Sequence, residues 1–295
     1  MSLVLEEAIE QELKDPDMID VFLDSLRFPL TGTYGGNSSC IEIDQGQGDF
    51  ILCDFGSGAR EFAGHYLANG GAQRSKTFHV FMSHLHWDHI MGFPFFTPAY
   101  IPGHKIIIYG CHDHIEDTFR RQHSAPNFPV DFSALGADIE FRKMTVGQPI
   151  EVEGITVDAQ LQLHEGDSYG YRFRKNDKSI VYSTDSEHKV DDQDELDRFV
   201  EFIQNADLVV FDAMYSLLEA VTLKEDWGHS SNLMGVELCL RGNAKALCLF
   251  HHDPIHSDQQ IYNSLLEAKS FAKLIGTGQS LDVIAAHDGL CVMLE

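Results

Sequence analysis

No run of the sequence approaches the about 20 apolar residues that span a bilayer, and no basic segment leads an apolar one near the N-terminus. Membrane insertion and export are therefore not expected. Cys40, Cys53, Cys111, Cys239, Cys248 and Cys291 are scattered, with no CxxC pair. That spacing gives no sign of a disulfide framework, and a reducing, cytoplasmic compartment is the simpler expectation. Cys53 and Cys248 lie in apolar strand-like runs and read as small core residues. Positive charge is scarce as well. Lys plus Arg number 21 against 46 Asp plus Glu, a formal net charge of −25, and no basic cluster stands out. Affinity for long nucleic acid rests on neutralising phosphates, so such a partner is not expected. A small anionic substrate stays open, because bound metal ions reverse the local field. No Ser/Gly-rich linker, low-complexity tract or short repeat divides the 295 residues. They read as two pseudo-related halves, each a sheet with outer helices, sharing one site.

What the chain does have is histidine and aspartate at the ends of apolar strands. Residues 77–83 are apolar and β-rich, and His84, His86, Asp88 and His89 follow, four potential ligands in six positions. In extended chain, i and i+2 share a side, so His84 and His86 can grip one cation together. A turn after Trp87 would aim Asp88 and His89 at a second cation. The pattern HxHxDH therefore suits a two-metal site. Residues 155–163 form another expected strand, ending at His164. A hairpin of residues 169–174 and 179–183, turning through 175–178, ends at Asp185. A strand over 245–250 delivers His251 and His252, of which His251 follows the strand directly. Ligands on loops at strand ends are held well by a rigid sheet.

Further strands are expected over 40–43, 50–53, 105–110 and 206–212, and helices over 59–69, 192–204, 230–240 and 257–274. Residues 139–141 read as part of a second sheet together with 155–163. Residues 281–286 and 290–294 read as a closing hairpin around His287. Residues 1–31 read as a peripheral N-terminal segment whose helical pattern is broken at Asp15-Pro16-Asp17. Asp54 reads equally as a helix N-cap or as a carboxylate that orients the histidine loop. Residues 91–103, MGFPFFTPAYIPG, hold too much proline for a long helix. They form either an apolar wall beside the metals or ordinary core. His112, His114 and His123 read as exposed helix histidines rather than ligands.

Several short stretches carry a family resemblance: GGNSSC (35–40), CDFGSG (53–58), HLHWDH (84–89), LHEGDSYGYRF (163–173), IVYSTDSEH (180–188), GHS (228–230) and LCLFHHDP (247–254). Together they resemble the metallo-β-lactamase superfamily, in its phosphodiesterase and ribonuclease Z-like branch. The resemblance covers residues 32–295 and implies a four-layer αββα sandwich there. It implies that His84, His86 and His164 hold one divalent ion, that Asp88, His89 and His251 hold the other, and that Asp185 bridges them. Mixed His/Asp ligation suits Zn²⁺, with Mn²⁺ and Fe²⁺ as alternatives. Two such ions can lower the pKa of a shared water and stabilise charge on an attacked phosphorus or carbonyl. Asp88 is the candidate proton acceptor. His229 resembles a histidine that assists at the scissile phosphate, set against the plain reading of a residue at a helix start. The flavo-diiron branch carries Glu where His86 stands, so redox chemistry is not expected.

The resulting expectation is a dinuclear metal hydrolase of a small or cyclic phosphodiester. A transfer-RNA 3′-end endonuclease shares most of the motifs but is opposed by the net charge. An acyl hydrolase of lactones or thioesters is compatible with Asp88. A non-catalytic binding module is disfavoured by the complete ligand set. A homodimer stays open.

Overall fold

A computed structural model of the protein describes Val4, Ala8 and residues 16–46, 48–73, 75–220, 222 and 224–294. Apart from Val4 and Ala8, the helical pattern expected before Pro16 lies outside the described residues. The helix Pro16–Ser25 begins at the proline where the break is expected, a position at which the missing N–H of proline costs nothing. Twelve strands follow among the described residues: β1 Ile41–Glu42, β2 Phe50–Cys53, β3 Thr77–Phe81, β4 Lys105–Gly110, β5 Asp138–Lys143, β6 Ile150–Val152, β7 Ile155–Gln162, β8 Ser168–Lys175, β9 Lys178–Ser183, β10 Leu208–Asp212, β11 Ala246–Phe250 and β12 Asp282–Ala285. They build a five-stranded sheet in the order β1-β2-β3-β4-β5 and a seven-stranded sheet in the order β12-β11-β10-β9-β8-β7-β6.

Alternation along the strands sorts their side chains into layers. Ile51, Phe81 and Ile107 of the first sheet meet Val157, Tyr171 and Tyr182 of the second in a shared core. Their neighbours Leu52, Val80 and Ile106 face the other way, onto Ala59 and Ala63 of the helix Gly58–Ala68 and onto Phe93, Phe96 and Phe119. Val209, Phe211, Leu247 and Leu249 cover the outer face of the second sheet with Leu196, Phe199, Val236 and Ala268 from three helices. The order is helix, sheet, sheet, helix. The parallel strands β3, β10 and β11 are apolar nearly throughout because both of their faces are covered. Phe81 is fully buried against Tyr109, Tyr171 and Phe173, so Phe81→Ala would cost about 3–5 kcal/mol.

Two strand assignments differ from the sequence expectation. Residues 138–143 lie in the first sheet, parallel to β4, not in the second. The helix Ile115–Gln122 lies in the connection between β4 and β5, and such a crossover returns the chain to the sheet it left. The second sheet begins only at β6. Residues 290–294 form no strand, and β12 pairs with β11 in parallel. Asp288 is drawn instead to the glycine loop: its N–H donates to Tyr34 O at 3.0 Å, and its Oδ2 accepts from Asn37 Nδ2 at 3.0 Å. Phe28, within the segment read as peripheral, packs 4.8 Å from Tyr34 and 4.9 Å from His287. Elsewhere the local signals hold. Ser257 and Gln260 form a capping box that starts the helix Asp258–Ile275, and Asn176 at φ 54° turns the β8–β9 hairpin. Among the described residues no helix is long and apolar enough to cross a membrane.

Candidate metal centre

The strands of both sheets deliver their polar residues to one edge of the sandwich. Asp54 follows β2 at φ 61°, a left-handed conformation that asparagine and aspartate tolerate better than most residues. This turns its carboxylate inward, where it accepts from Ser83 N at 2.7 Å, Ser83 Oγ at 2.6 Å and Tyr182 OH at 2.6 Å. His89 Nδ1 lies 2.8 Å from the same carboxylate. Asp54 is fully buried, so each of these contacts replaces a water it has lost. His86 takes extended backbone and caps the short helix Trp87–Ile90, which reverses the chain and brings Asp88 and His89 round. Gly92 makes that reversal possible. Its N–H donates to Phe55 O at 2.7 Å, and a Cβ there would stand 1.9 Å from Gly56 O. Ser38 Oγ, from the glycine loop, donates to the Asp88 carbonyl at 2.6 Å.

Two donor sets result. His84, His86 and His164 present nitrogens within 4.8 Å of one another, and Asp88, His89, Asp185 and His251 do the same. Asp185 lies between them. Its Oδ1 stands 3.1 Å from His89 Nε2 and 3.3 Å from His251 Nε2, while its Oδ2 stands 3.6 Å from His84 Nε2 and 3.8 Å from His164 Nε2. One carboxylate thus offers one oxygen to each set. Asp88 Oδ2 is 3.4 Å from both His89 Nε2 and His251 Nε2. The chemistry of the donors fits divalent cations. His84 Nε2 and His89 Nε2 are buried without a hydrogen-bond partner, a rare condition for polar atoms, and both face carboxylates. The Nδ1 atoms of His89 and His164 are engaged behind them, by Asp54 and by Gly228 O at 2.8 Å, which leaves each Nε2 turned inward.

The electrostatics follow the same division. Burial opposes the charge on Asp185, yet His251 and His89 hold it ionised far below the usual carboxylate range. Burial likewise opposes charge on His251, but Asp185 and Asp88 outweigh it and push this imidazole up to about 9. Burial and the neighbouring His89 push His84 down. Cations binding here compete with the protons on these donors.

The edge also settles the placement of the paired histidines. His251, at φ 57°, joins the donors, whereas His252 Nε2 contacts Ala286 O at 3.0 Å and its ring packs on Tyr34. Burial first, and the nearby His251, push His252 down to about 4. His229 lies in a turn before the helix Asn232–Arg241, its ring 5.1 Å from His164 and 5.1 Å from His251. Its Nδ1 is 2.8 Å from Asp212 Oδ2. Asp212 is fully buried and ends β10; its carboxylate also accepts from Ser186 N at 3.0 Å. Burial opposes charge on His229, but Asp212 raises its pKa. The motif reading passed over Asp212. The available signal was a carboxylate ending an otherwise apolar strand, ADLVVFD. Glu187 was also passed over: it accepts from Asp226 N at 3.0 Å and Gly228 N at 3.1 Å and so shapes the turn that carries His229. Gly228, at φ 79°, is required there, because a Cβ would stand 2.4 Å from His164 Nδ1.

Other expected features land elsewhere. His112 and His123 are buried, not exposed. The helix between them runs only Ile115–Gln122, so His112 precedes it, with Nε2 2.6 Å from Asp167 O, and His123 follows it, packed on Phe93 and Phe128. Within residues 91–103, Phe93 and Phe96 are core, whereas Met91 and Phe95 are exposed.

Residues 51–252 match the Beta-lactamase superfamily domain. The chain belongs to the β-lactamase superfamily. As a superfamily member it shares the metallo-β-lactamase fold of solved structures. The metallo-beta-lactamase fold protein YhfI from Bacillus subtilis aligns with a TM-score of 0.62 at 20% identity, over 88% of this chain and 95% of that one. Yeast PDE1 aligns at 0.63 and 13% identity, over 85% and 93%. Among curated proteins, the ribonuclease Z of Oceanobacillus iheyensis is 22% identical over 70% of this chain and 80% of its own. Superfamily membership implies a hydrolase that uses divalent metal ions, the chemistry that the two donor sets fit.

Proposed function

We propose that the protein hydrolyses small or cyclic phosphodiesters, with one divalent ion held by His84, His86 and His164, a second by Asp88, His89 and His251, and Asp185 shared. Zn²⁺ suits this mixed imidazole and carboxylate set best. When bound, two such ions supply an acidified water and positive charge for the substrate's phosphate oxygens. The observation that carries the phosphodiester reading is the Asp212–His229 pair at 2.8 Å, set between His164 and His251. Asp212 fixes the His229 ring through Nδ1 and leaves Nε2 for the substrate. From there His229 can stabilise phosphate charge or protonate the leaving oxygen. Asp88 is 45% exposed at its side chain and can take the proton of the attacking water. Asp54, Ser83 and Ser38 hold that loop rigid and so fix the position of Asp88.

Transfer-RNA 3′-end processing is the second reading, favoured by the likeness to ribonuclease Z. The net charge of −25 opposes it, because each phosphate beyond the scissile one meets a repelling surface. The same charge leaves a small anionic substrate, rather than nucleic acid or an anionic membrane, as the partner. The proposed location is the cytoplasm.

A hydrolysis screen tests the reading: bis(p-nitrophenyl) phosphate, cyclic nucleotides, cyclic sugar phosphates, precursor transfer RNA, lactones and thioesters. Cleavage of small phosphodiesters with no cleavage of structured RNA is expected. Efficient processing of precursor transfer RNA alone would promote the second reading. Activity on acyl bonds alone, indifferent to His229→Ala, would replace both.

A further inference from the structure

A second cluster lies at the opposite rim of the sandwich. Asp49 immediately precedes β2, His79 sits in the middle of β3, and Glu153 occupies the turn between β6 and β7. One donor atom from each lies within 4.8 Å of the others. β7 runs from just after Glu153 to just before His164, about 25 Å of extended chain, so this cluster is remote from the catalytic edge.

His79 is the informative member. It is 6% exposed, and its Nε2 has no hydrogen-bond partner. Its Nδ1 is engaged by Tyr109 OH at 3.0 Å. The orphaned Nε2 faces Glu153 Oε1 at 3.8 Å, too far for a hydrogen bond. Two ligands each about 2.1 Å from one ion stand at most about 4.2 Å apart, so this gap is the size that a shared cation occupies. Asp49 accepts from Thr77 N at 3.0 Å through Oδ1, which leaves its second oxygen available. The other Glu153 oxygen also approaches the Asp49 loop: a Cβ on Gly48 would stand 3.7 Å from Oε2.

The geometry points to a third cation site, separate from the dinuclear centre, formed by His79 Nε2, Asp49 and Glu153. One imidazole with two carboxylates selects a borderline divalent ion such as Zn²⁺ or Mn²⁺ over Ca²⁺ or Mg²⁺, which take all-oxygen sets. With Nδ1 donating to Tyr109 Oη, His79 presents its Nε2 lone pair to the ion, the arrangement usual for a ligating histidine. His79 lies in the first sheet and Asp49 just before its strand β2, whereas Glu153 turns between two strands of the second sheet. The ion would therefore clip the two sheets together at the rim where no catalytic residue ties them. Its role is structural.

The test is zinc content. The full chain, stripped of metal and dialysed against Zn²⁺, is compared with Glu153→Gln and His79→Gln by elemental analysis, alongside thermal unfolding with and without Zn²⁺. Each variant is expected to hold one zinc fewer than wild type, whatever number the His84–His251 centre retains, and to gain less in Tm from Zn²⁺. Hydrolysis is expected to be unchanged in Glu153→Gln, whose side chain is 40% exposed and whose folding is not in question. Equal zinc content in wild type and Glu153→Gln would overturn the site. His79 Nε2 would then carry a proton and face Glu153 as a long electrostatic contact.

Discussion

Asp54 Oδ2 lies 2.8 Å from His89 Nδ1, with both side chains fully buried. The same carboxylate binds Ser83 and Tyr182, so one residue after β2 ties β3, β9 and the metal loop together. Asp54→Ala should weaken metal binding at the Asp88, His89 and His251 set about 10–100-fold. It should also cost about 3 kcal/mol of stability, because Ser83 and Tyr182 lose a buried acceptor. Metal titration and urea unfolding read the two effects separately. Asp54→Asn keeps one acceptor oxygen and should lose less of both.

Under the proposed function, Asp212 acts through His229, whose Nδ1 it contacts at 2.8 Å. His229→Ala should lower kcat about 10²–10⁴-fold with metal content retained. Asp212→Asn should lower it about 10–100-fold by releasing the ring. The double variant should be no slower than His229→Ala alone, because both changes remove one function. Additive losses in steady-state kinetics would mean that Asp212 works independently.

Asp185 offers one oxygen to each donor set, whereas Asp88 serves only one. Elemental analysis should therefore separate them. Asp185→Ala is expected to deplete both ions, and Asp88→Ala mainly the second. Both variants should be inactive, and a chelator should abolish wild-type activity reversibly. Near wild-type turnover in Asp88→Ala would remove it from both of its roles.

Acid stability should report Asp207. It is buried, accepts from Lys245 Nζ at 2.7 Å and accepts from Ser179 N at 2.7 Å. Burial alone would raise its pKa, but these two donors outweigh it and lower the value. A depressed carboxylate contributes stability that is complete above its unfolded pKa of about 3.9 and is lost as pH falls through the folded value. Asp207→Asn should therefore cost about 1–2 kcal/mol at neutral pH. Urea unfolding should show that penalty shrinking as pH falls below the unfolded value and through the lower folded one. A pH-independent penalty would point to packing instead.

The sequence by itself determined the elements whose signals are local. Residues 50–53, 77–81 and 105–110 lie in short apolar runs, and they are strands. Ser257 with Gln260 starts the long helix, because capping depends on residues three apart. His84, His86, His164, Asp185 and His251 stand at or just beyond strand ends, as chain order shows, while their meeting at one edge needs the two sheets packed together. The tertiary structure decided what depends on partners distant along the chain. β5 joined the first sheet because β4 offered it a free parallel edge, a choice that no property of residues 138–143 encodes. Residues 290–294 formed no hairpin because Asp288 found the glycine loop. Asp212 gained its partner only when β10 and the turn holding His229 met, and His112 and His123 were buried by the loops around a short helix. The Asp49, His79 and Glu153 cluster exists only because two sheets pack face to face. Composition and spacing report neighbours along the chain, and sheet packing brings together residues that no local pattern links.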